Sequence, residues 1–303
     1  GYLGGFVLYT ALAAGLIGVL LGGFTVEQPA WKTWNTGTST GMLFPFLFVT
    51  IACGACSGFH GLVCSGTTSK QVARESHMRP VGYGAMLAEG FVALIALVTI
   101  MIASSESVKG LSPGTIYGNG IGRFLTVVIG EERLAFATTF GAMAFSTFVF
   151  DTLDVCTRLG RYILQELLGR RGRMSAAVCT LVFMAVPAYV LMATGSGGWV
   201  KFWTLFGASN QLLAALTLIT LTVWLRRSGR PYRFVLVPMV FVFVVTLWAL
   251  GQLLIASLRA AGLSNAAVVN AAAAAAFIVL ALFLASRGFL SIRRSRAGGL
   301  DGL

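Results

Sequence analysis

The sequence predicts an all-α protein, a bundle of about eight transmembrane helices forming one membrane domain over residues 1–303. Composition is the first observation: 57% of the residues are hydrophobic and only 11% are charged, whereas soluble domains carry roughly 25% charged residues. The mean hydropathy is +0.84. Second, the apolar residues fall into segments long enough to cross a bilayer. Third, connections rich in Lys and Arg alternate with connections that contain few of them.

A hydrocarbon core about 30 Å thick requires about 20 apolar residues in a helix. Backbone polar groups in lipid must be satisfied internally, which makes each segment a helix. The 37 glycines fit this prediction, because small residues let membrane helices pack closely. The predicted spans are 3–23, 42–65, 82–103, 134–156, 174–194, 202–225, 233–256 and 266–286.

The distribution of Lys and Arg predicts the orientation. The connections 66–81, 157–173 and 226–233, together with the tail after 286, hold sixteen of these residues. The opposite connections hold six. Because basic residues concentrate in cytoplasmic loops, we expect both ends of this chain to be cytoplasmic.

Segment 104–133 interrupts the regular pattern. It is too long for a simple turn, and it contains Ser112-Pro113-Gly114 and Gly118-Asn119-Gly120. Its apolar stretch 121–129 is too short to span a bilayer. We therefore expect an external cap or a re-entrant piece.

Segment 42–68 is the most informative part of the chain, because it is apolar yet rich in glycine, serine, cysteine and threonine. Gly54, Gly58 and Gly61 lie at helical spacing and form a stripe suited to close packing. Each glycine also weakens the helix by about 1 kcal/mol relative to alanine. A broken helix would free backbone groups for a ligand, as in many secondary transporters. The alternative is an intact, tightly packed helix.

Several ionisable residues lie within the predicted spans. His60 could carry a proton or could bond a neighbouring helix. Glu89 lies about 10 Å into its span, where a charge costs ~2.5–3.5 kcal/mol unless it is paired, protonated or hydrated. It is a candidate for proton coupling, and a structural hydrogen bond is the alternative.

Asp151 and Asp154 share one face of a predicted helix. Arg158 follows Asp154 at the spacing of an i,i+4 ion pair, whereas Asp151 has no obvious local partner and is the better ion or proton candidate. In span 202–225, Asn210 and Gln211 are expected to bridge helices rather than contact substrate.

Other classes of function lack their motifs. The basic residues fall between apolar runs, which argues against a nucleic-acid partner. Cys53 and Cys56 with His60 lack a fourth ligand, so we expect no metal site and no cofactor. No phosphate loop, nucleophile elbow or zinc-protease helix is present, and we expect no enzyme activity.

The chain resembles the carbon starvation protein A family in the stretch from Phe44 to Lys70, with its core Ile51-Ala52-Cys53-Gly54-Ala55-Cys56-Ser57-Gly58-Phe59-His60. The resemblance continues in four further stretches. These are Gly82 to Gly90, Ser112 to Ile121, Asp151-Thr152-Leu153-Asp154 through Glu166, and Trp203 to Ala214.

This resemblance implies an inner-membrane transporter for peptides or pyruvate, used in carbon starvation and driven by protons. It also implies an inverted-repeat fold like that of the amino acid–polyamine–cation superfamily, with further N-terminal helices that this chain lacks. Since residue 1 is glycine rather than an initiator methionine, we expect the observed chain to be incomplete.

On this hypothesis, backbone amides exposed near Gly54 and Gly58 bind the anionic group of the substrate, because the N-termini of half-helices favour negative charge. The ionisable residues carry the driving proton. The alternative function is that of a non-transporting membrane sensor or complex subunit. The sequence does not decide whether the protein forms a homo-oligomer. The expected substrate-binding residues are Gly54, Ser57, Gly58, His60, Thr67 and Thr68, and the expected coupling residues are His60, Glu89, Asp151 and Asp154.

Overall fold

The computed structural model describes residues 2–35, 43–55, 57–195, 198–260 and 265–297. Eleven α-helices lie in these ranges. They are α1 (Tyr2–Leu21), α2 (Phe46–Ala55), α3 (Gly58–Val63), α4 (Ser69–Gln71), α5 (Ala85–Met101), α6 (Pro113–Ile129), α7 (Leu134–Leu167), α8 (Arg173–Thr194), α9 (Val200–Arg227), α10 (Arg233–Ala260) and α11 (Asn265–Ala297). A π-helical turn, Cys64–Thr68, joins α3 to α4.

Within the described residues, seven helices are long and apolar enough to cross a membrane. The polytopic helical bundle predicted from composition is therefore confirmed. Five of the predicted spans coincide with helices that differ by a few residues at their ends. Helix α7 continues beyond the predicted 134–156 to Leu167, and α11 continues beyond the predicted 266–286 to Ala297. The predicted span 42–65 is the exception, because it is not one continuous helix.

The chain divides into two compact units. Unit 1 comprises 1–32 and 72–184, and unit 2 comprises 33–71 and 185–303. The expectation of a single membrane domain over 1–303 stays a prediction.

In unit 1, the core forms where α1, α5, α6 and α7 pack together. Ile121 and Phe124 of α6 are fully buried there, together with Ala11 of α1. Glycines allow these close approaches: a Cβ on Gly15 would lie 2.7 Å from the Ile95 side chain. The small-residue packing expected from the composition is therefore present in this unit.

Helix α6 runs antiparallel to the first half of α7. A Cβ on Gly118 would lie 3.1 Å from the Ala142 backbone nitrogen, and one on Gly114 would lie 2.8 Å from the Phe145 ring. Phe145 is eleven residues beyond the start of α7, or about 16 Å along that helix. Helix α6 thus begins deep in the bundle and ends near the start of α7.

The two ends of segment 104–133 lie at the same end of unit 1. Ala103, just after α5, and Leu134, at the start of α7, line the same cavity. The Gln28 side chain, which follows α1, donates a 2.6 Å hydrogen bond to the Ala103 carbonyl oxygen at this end. The segment therefore enters the bundle and returns, as a re-entrant piece does. The other expectation, an external cap, is wrong because α6 contributes fully buried core residues.

In unit 2, the core lies between α2, α9, α10 and α11. Its fully buried members include Ala208 of α9, Leu250 of α10 and Ala274 of α11. Helix α9 contacts α2, α10 and α11, and it also contacts α3. It therefore forms the framework on which segment 42–68 is placed.

Candidate functional site: the helix break on α9

Segment 42–68 contains a break in its helix. Helix α2 ends at Ala55, and α3 begins at Gly58. Between them, Ser57 has an extended backbone, with φ −100° and ψ 122°. Cys56 lies outside the described residues. Of the two alternatives left open by the sequence, the structure favours the broken helix.

The two pieces on either side of the break follow α9 in the same direction. Val49 of α2 contacts Gly207, and a Cβ on Gly207 would lie 2.8 Å from the Val49 carbonyl oxygen. A Cβ on Gly61 of α3 would lie 3.1 Å from the Thr217 hydroxyl oxygen. Twelve residues of the broken segment thus match ten residues of α9, or about 15 Å of helix. The break is a local interruption in a segment that continues along one span.

Gly58 marks the closest approach between α3 and α9. A Cβ there would lie 2.7 Å from the Ala214 backbone nitrogen and would also clash with the Asn210 carbonyl oxygen and the Leu213 side chain. Only a residue without a side chain fits this contact. Gly58 and Gly61 are therefore packing glycines, as the stripe predicted.

Asn210 of α9 joins the two sides of this contact. Its Oδ1 accepts a 2.8 Å hydrogen bond from the Phe59 backbone N–H, and its Nδ2 lies 3.3 Å from the Ser57 hydroxyl oxygen. Asn210 is buried, with 6% of its surface exposed. The expectation that this amide bridges helices is confirmed.

The first amides of α3 are occupied in this structure. The Phe59 N–H donates to Asn210, and the His60 N–H donates to the Ser57 hydroxyl oxygen at 3.4 Å, as in an N-cap. We expected amides near Gly58 to bind an anion directly. A ligand oxygen at the Phe59 amide would instead have to replace the oxygen of Asn210.

A cavity of about 350 Å³ adjoins Asn210 within unit 2. Its walls are mostly apolar and include Phe59, Leu213 and Phe277, whereas Ser209 and Asn210 are its polar members. Cavities of this size, apolar with a few convergent polar groups, suit small-molecule ligands. Local sequence patterns do not indicate this cavity, because its walls come from three separate helices.

The remaining predicted substrate residues lie at different distances from the break. Gly54 is the penultimate residue of α2. His60 is exposed, and its ring lies 5.8 Å from the ring of Phe59. Thr67 and Thr68 lie in the π-helical turn, ten or more residues from Ser57 and about 15 Å along the helix. A ligand as small as pyruvate cannot contact both Ser57 and these threonines.

The acidic candidates belong to unit 1. Glu89 is half-buried in α5, whereas Asp151 and Asp154 are exposed on α7. Asp154 forms an ion pair with Arg158, as the i,i+4 spacing predicted. Asp151 faces α1, where a Cβ on Gly4 would lie 3.4 Å from its Oδ2. The two aspartates therefore differ in their surroundings: Asp154 is paired with Arg158, whereas Asp151 lies beside α1.

Comparison with known proteins adds a consistent set of relatives. The family described as "Carbon starvation protein CstA" matches residues 1–119 and 102–249. The chain is 32% identical over 297 residues to the peptide transporter CstA of Mycobacterium tuberculosis, covering 76% of this chain and 39% of the relative. It is 30% identical over 334 residues to the pyruvate/proton symporter BtsT of Escherichia coli, covering 82% and 47%.

A third relative, the peptide transporter CstA of Campylobacter jejuni, is 32% identical over 311 residues, covering 82% of this chain and 44% of the relative. The chain thus spans less than half the length of each of these relatives. No solved structure matches the chain.

Proposed function

Since the chain belongs to the carbon starvation protein CstA family, we propose that it forms part of a secondary transporter that takes up a small carboxylate-bearing nutrient, a peptide or pyruvate, by proton symport. The names of its relatives support both substrates, because they include peptide transporters and a pyruvate/proton symporter. The helix break held by Asn210 is the observation that supports a substrate site in this chain.

We place the substrate carboxylate at the break. In the structure, the Asn210 oxygen accepts a hydrogen bond from the Phe59 amide. A carboxylate oxygen is a stronger acceptor than an amide oxygen, and it also interacts favourably with the N-terminal end of a helix. In our proposal the substrate displaces the Asn210 oxygen, and its apolar part enters the neighbouring cavity. Ser57 and Gly58 would line this site, with Gly54 and His60 close by in sequence.

Glu89 and Asp151 are the proposed proton carriers. A carboxyl group within a span is costly when charged, so its protonation can be linked to a transport step. Asp154 is less suited to this role, because it already forms an ion pair with Arg158. We further propose that the protein lies in the inner membrane, with the basic connections in the cytoplasm.

Uptake by the purified chain in proteoliposomes tests this function. We expect labelled pyruvate or a labelled dipeptide to accumulate when the outside is acidic, and accumulation to stop when a protonophore collapses the gradient. Binding of either substrate without any uptake would contradict transport and favour the alternative, a membrane sensor or complex subunit.

A further inference from the structure

We propose a second carboxylate-binding site in unit 1, centred on Arg123 of the re-entrant helix α6. This inference rests on the proposed function, because the ligand we assign is the carboxylate group of the transported nutrient. The site lies apart in sequence from segment 42–68 and uses different residues.

Arg123 lies in a cavity of about 340 Å³ between α5, α6 and α7. The walls are mostly apolar, with Ile102, Leu111 and Leu134 among them, and Asn119 and Thr138 are polar members. Arg123 is the basic residue among those that line the cavity. Arg123 is itself exposed. An exposed guanidinium beside mostly apolar walls can bind a carboxylate with two parallel hydrogen bonds.

The guanidinium of Arg123 is available to a ligand. Among the residues that the structure describes, no carboxylate pairs with it and no hydrogen bond engages it. Arg133, at the same end of unit 1, instead lies 4.0 Å from a Glu132 carboxylate oxygen. The two arginines carry the same charge and lie at the same end of unit 1, but Arg133 alone of the two has a carboxylate beside it among the described residues.

A polar stripe leads from Arg123 into the bundle. Ser112, Thr115, Asn119 and Arg123 lie at spacings of three to four residues, on one face of α6 and at its N-cap. Asn119 and Thr138 line both the Arg123 cavity and a second, deeper cavity that reaches Ser146 of α7. Ser146 is twelve residues beyond the start of α7, or about 18 Å along it.

This arrangement is unsuited to a lipid-facing surface. Polar side chains in contact with hydrocarbon lose their hydrogen bonds to water, and membrane proteins accordingly turn them toward the protein interior or toward water-filled cavities. The stripe therefore marks a path for water and polar solutes. Arg123, at the end where α6 finishes, would be the first group to bind a carboxylate entering this path.

Replacing Arg123 with glutamine tests the site, and Arg133→Gln is the matched control. For the intact chain in proteoliposomes, we expect Arg123→Gln to raise the KM for labelled pyruvate about tenfold, which is the scale of one charged hydrogen-bonding partner. Arg133→Gln should change KM less than twofold. Pyruvamide, which lacks the carboxylate, should compete with labelled pyruvate equally weakly in both variants.

A direct binding measurement separates this inference from the proposed function. We expect the Kd of labelled pyruvate for the purified chain to rise about tenfold in Arg123→Gln. The Kd should also rise in Asn119→Ala, which changes another residue of the same cavity and keeps the arginine. This second variant keeps the site testable if Arg123→Gln does not fold. Equal KM and Kd values in Arg123→Gln and Arg133→Gln, with uptake intact, would overturn the Arg123 site and leave the transport function standing. If substrate binding depends on Arg123 but no uptake occurs, the site is supported and the transport function is contradicted. If neither Arg123-dependent binding nor uptake occurs, the site and the transport function are both overturned.

Discussion

The carboxamide of Asn210 on α9 accepts a 2.8 Å hydrogen bond from the backbone amide of Phe59, 151 positions earlier in the chain. Phe59 is the second residue of α3, directly after the helix break. An amide at this place in a continuous helix would bond to a carbonyl one turn back, and the break removes that partner. Asn210 thus satisfies a backbone group that the break has left free.

Replacing Asn210 with alanine should have opposite effects on stability and on substrate affinity. Loss of the acceptor leaves the Phe59 amide without its partner, and we expect the free energy of unfolding to fall by about 1–3 kcal/mol. The same change exposes the amide to substrate, so the KM for pyruvate or dipeptide should fall. Thermal unfolding in detergent and uptake kinetics measure the two effects.

Thr220→Ala is the control for this variant, because the Thr220 hydroxyl donates to the Leu216 carbonyl in its own helix and Thr220 is not among the residues that line the cavity beside Asn210. A higher KM in Asn210→Ala, with the protein still folded, would contradict the proposed displacement of Asn210 by substrate.

Gly58→Ala should destabilise the contact between α3 and α9. The added Cβ would meet the backbone of α9 at Asn210 and Ala214, which cannot move aside as a flexible side chain could. Overpacking of this kind costs about 1–3 kcal/mol. Gly90→Ala is the matched control, because a Cβ on Gly90 in α5 has no neighbour within 4 Å in the described part of the chain. Differential scanning fluorimetry would show a lower Tm for Gly58→Ala alone, and equal Tm values would refute the assignment of Gly58 as a packing glycine.

In the described part of the chain, Gln211 does not form the bridge between helices that the sequence predicted, and we expect its amide to reduce stability. It is fully buried, and neither its Oε1 nor its Nε2 has a hydrogen-bond partner among the residues that the structure describes. A buried, unsatisfied amide costs about 1–3 kcal/mol, so Gln211→Leu should raise the Tm. The control is Thr222→Val, since Thr222 is equally buried but donates to the Leu218 carbonyl at 2.7 Å. A lower Tm for Gln211→Leu would show that the amide is satisfied in the protein.

Glu89→Gln should separate accumulation from exchange. Glutamine cannot release a proton, so uphill uptake driven by a pH gradient should stop, whereas exchange of labelled for unlabelled substrate across the membrane should continue. Glu75→Gln, at an exposed position before α5, should leave both rates unchanged. Normal accumulation in Glu89→Gln would remove this residue from the mechanism and leave Asp151 as the candidate to test.

Much of the fold could be predicted from local sequence. Hydrophobic length identified the spans, because the requirement to cross about 30 Å of hydrocarbon acts on each helix separately. The ends of α7 and α11 were missed, since these helices continue to Leu167 and Ala297, beyond the apolar stretches that mark the spans. The glycines of segment 42–68 indicated both close packing and a weakened helix, and both features are present.

The geometry of the site could not be predicted in the same way. The residues that complete the break and its cavity come from α9 and α11, and no local pattern reports a contact such as that between Phe59 and Asn210. Thr67 and Thr68 were grouped with Ser57 because they are close in sequence, but the helical rise separates them. Arg123 was counted only for its charge, because the return of α6 into the bundle is a tertiary feature.

Protection of residue 57 by substrate is the most direct test of the central claim, that the substrate binds at the helix break. Ser57→Cys and the control Ser65→Cys, which is exposed beyond α3, would be made in a transport-competent variant without native cysteines and treated with a maleimide. We predict that saturating substrate slows modification at residue 57 at least severalfold and leaves residue 65 unaffected. Equal modification rates at residue 57 with and without substrate, at concentrations that saturate uptake, would contradict binding at the break.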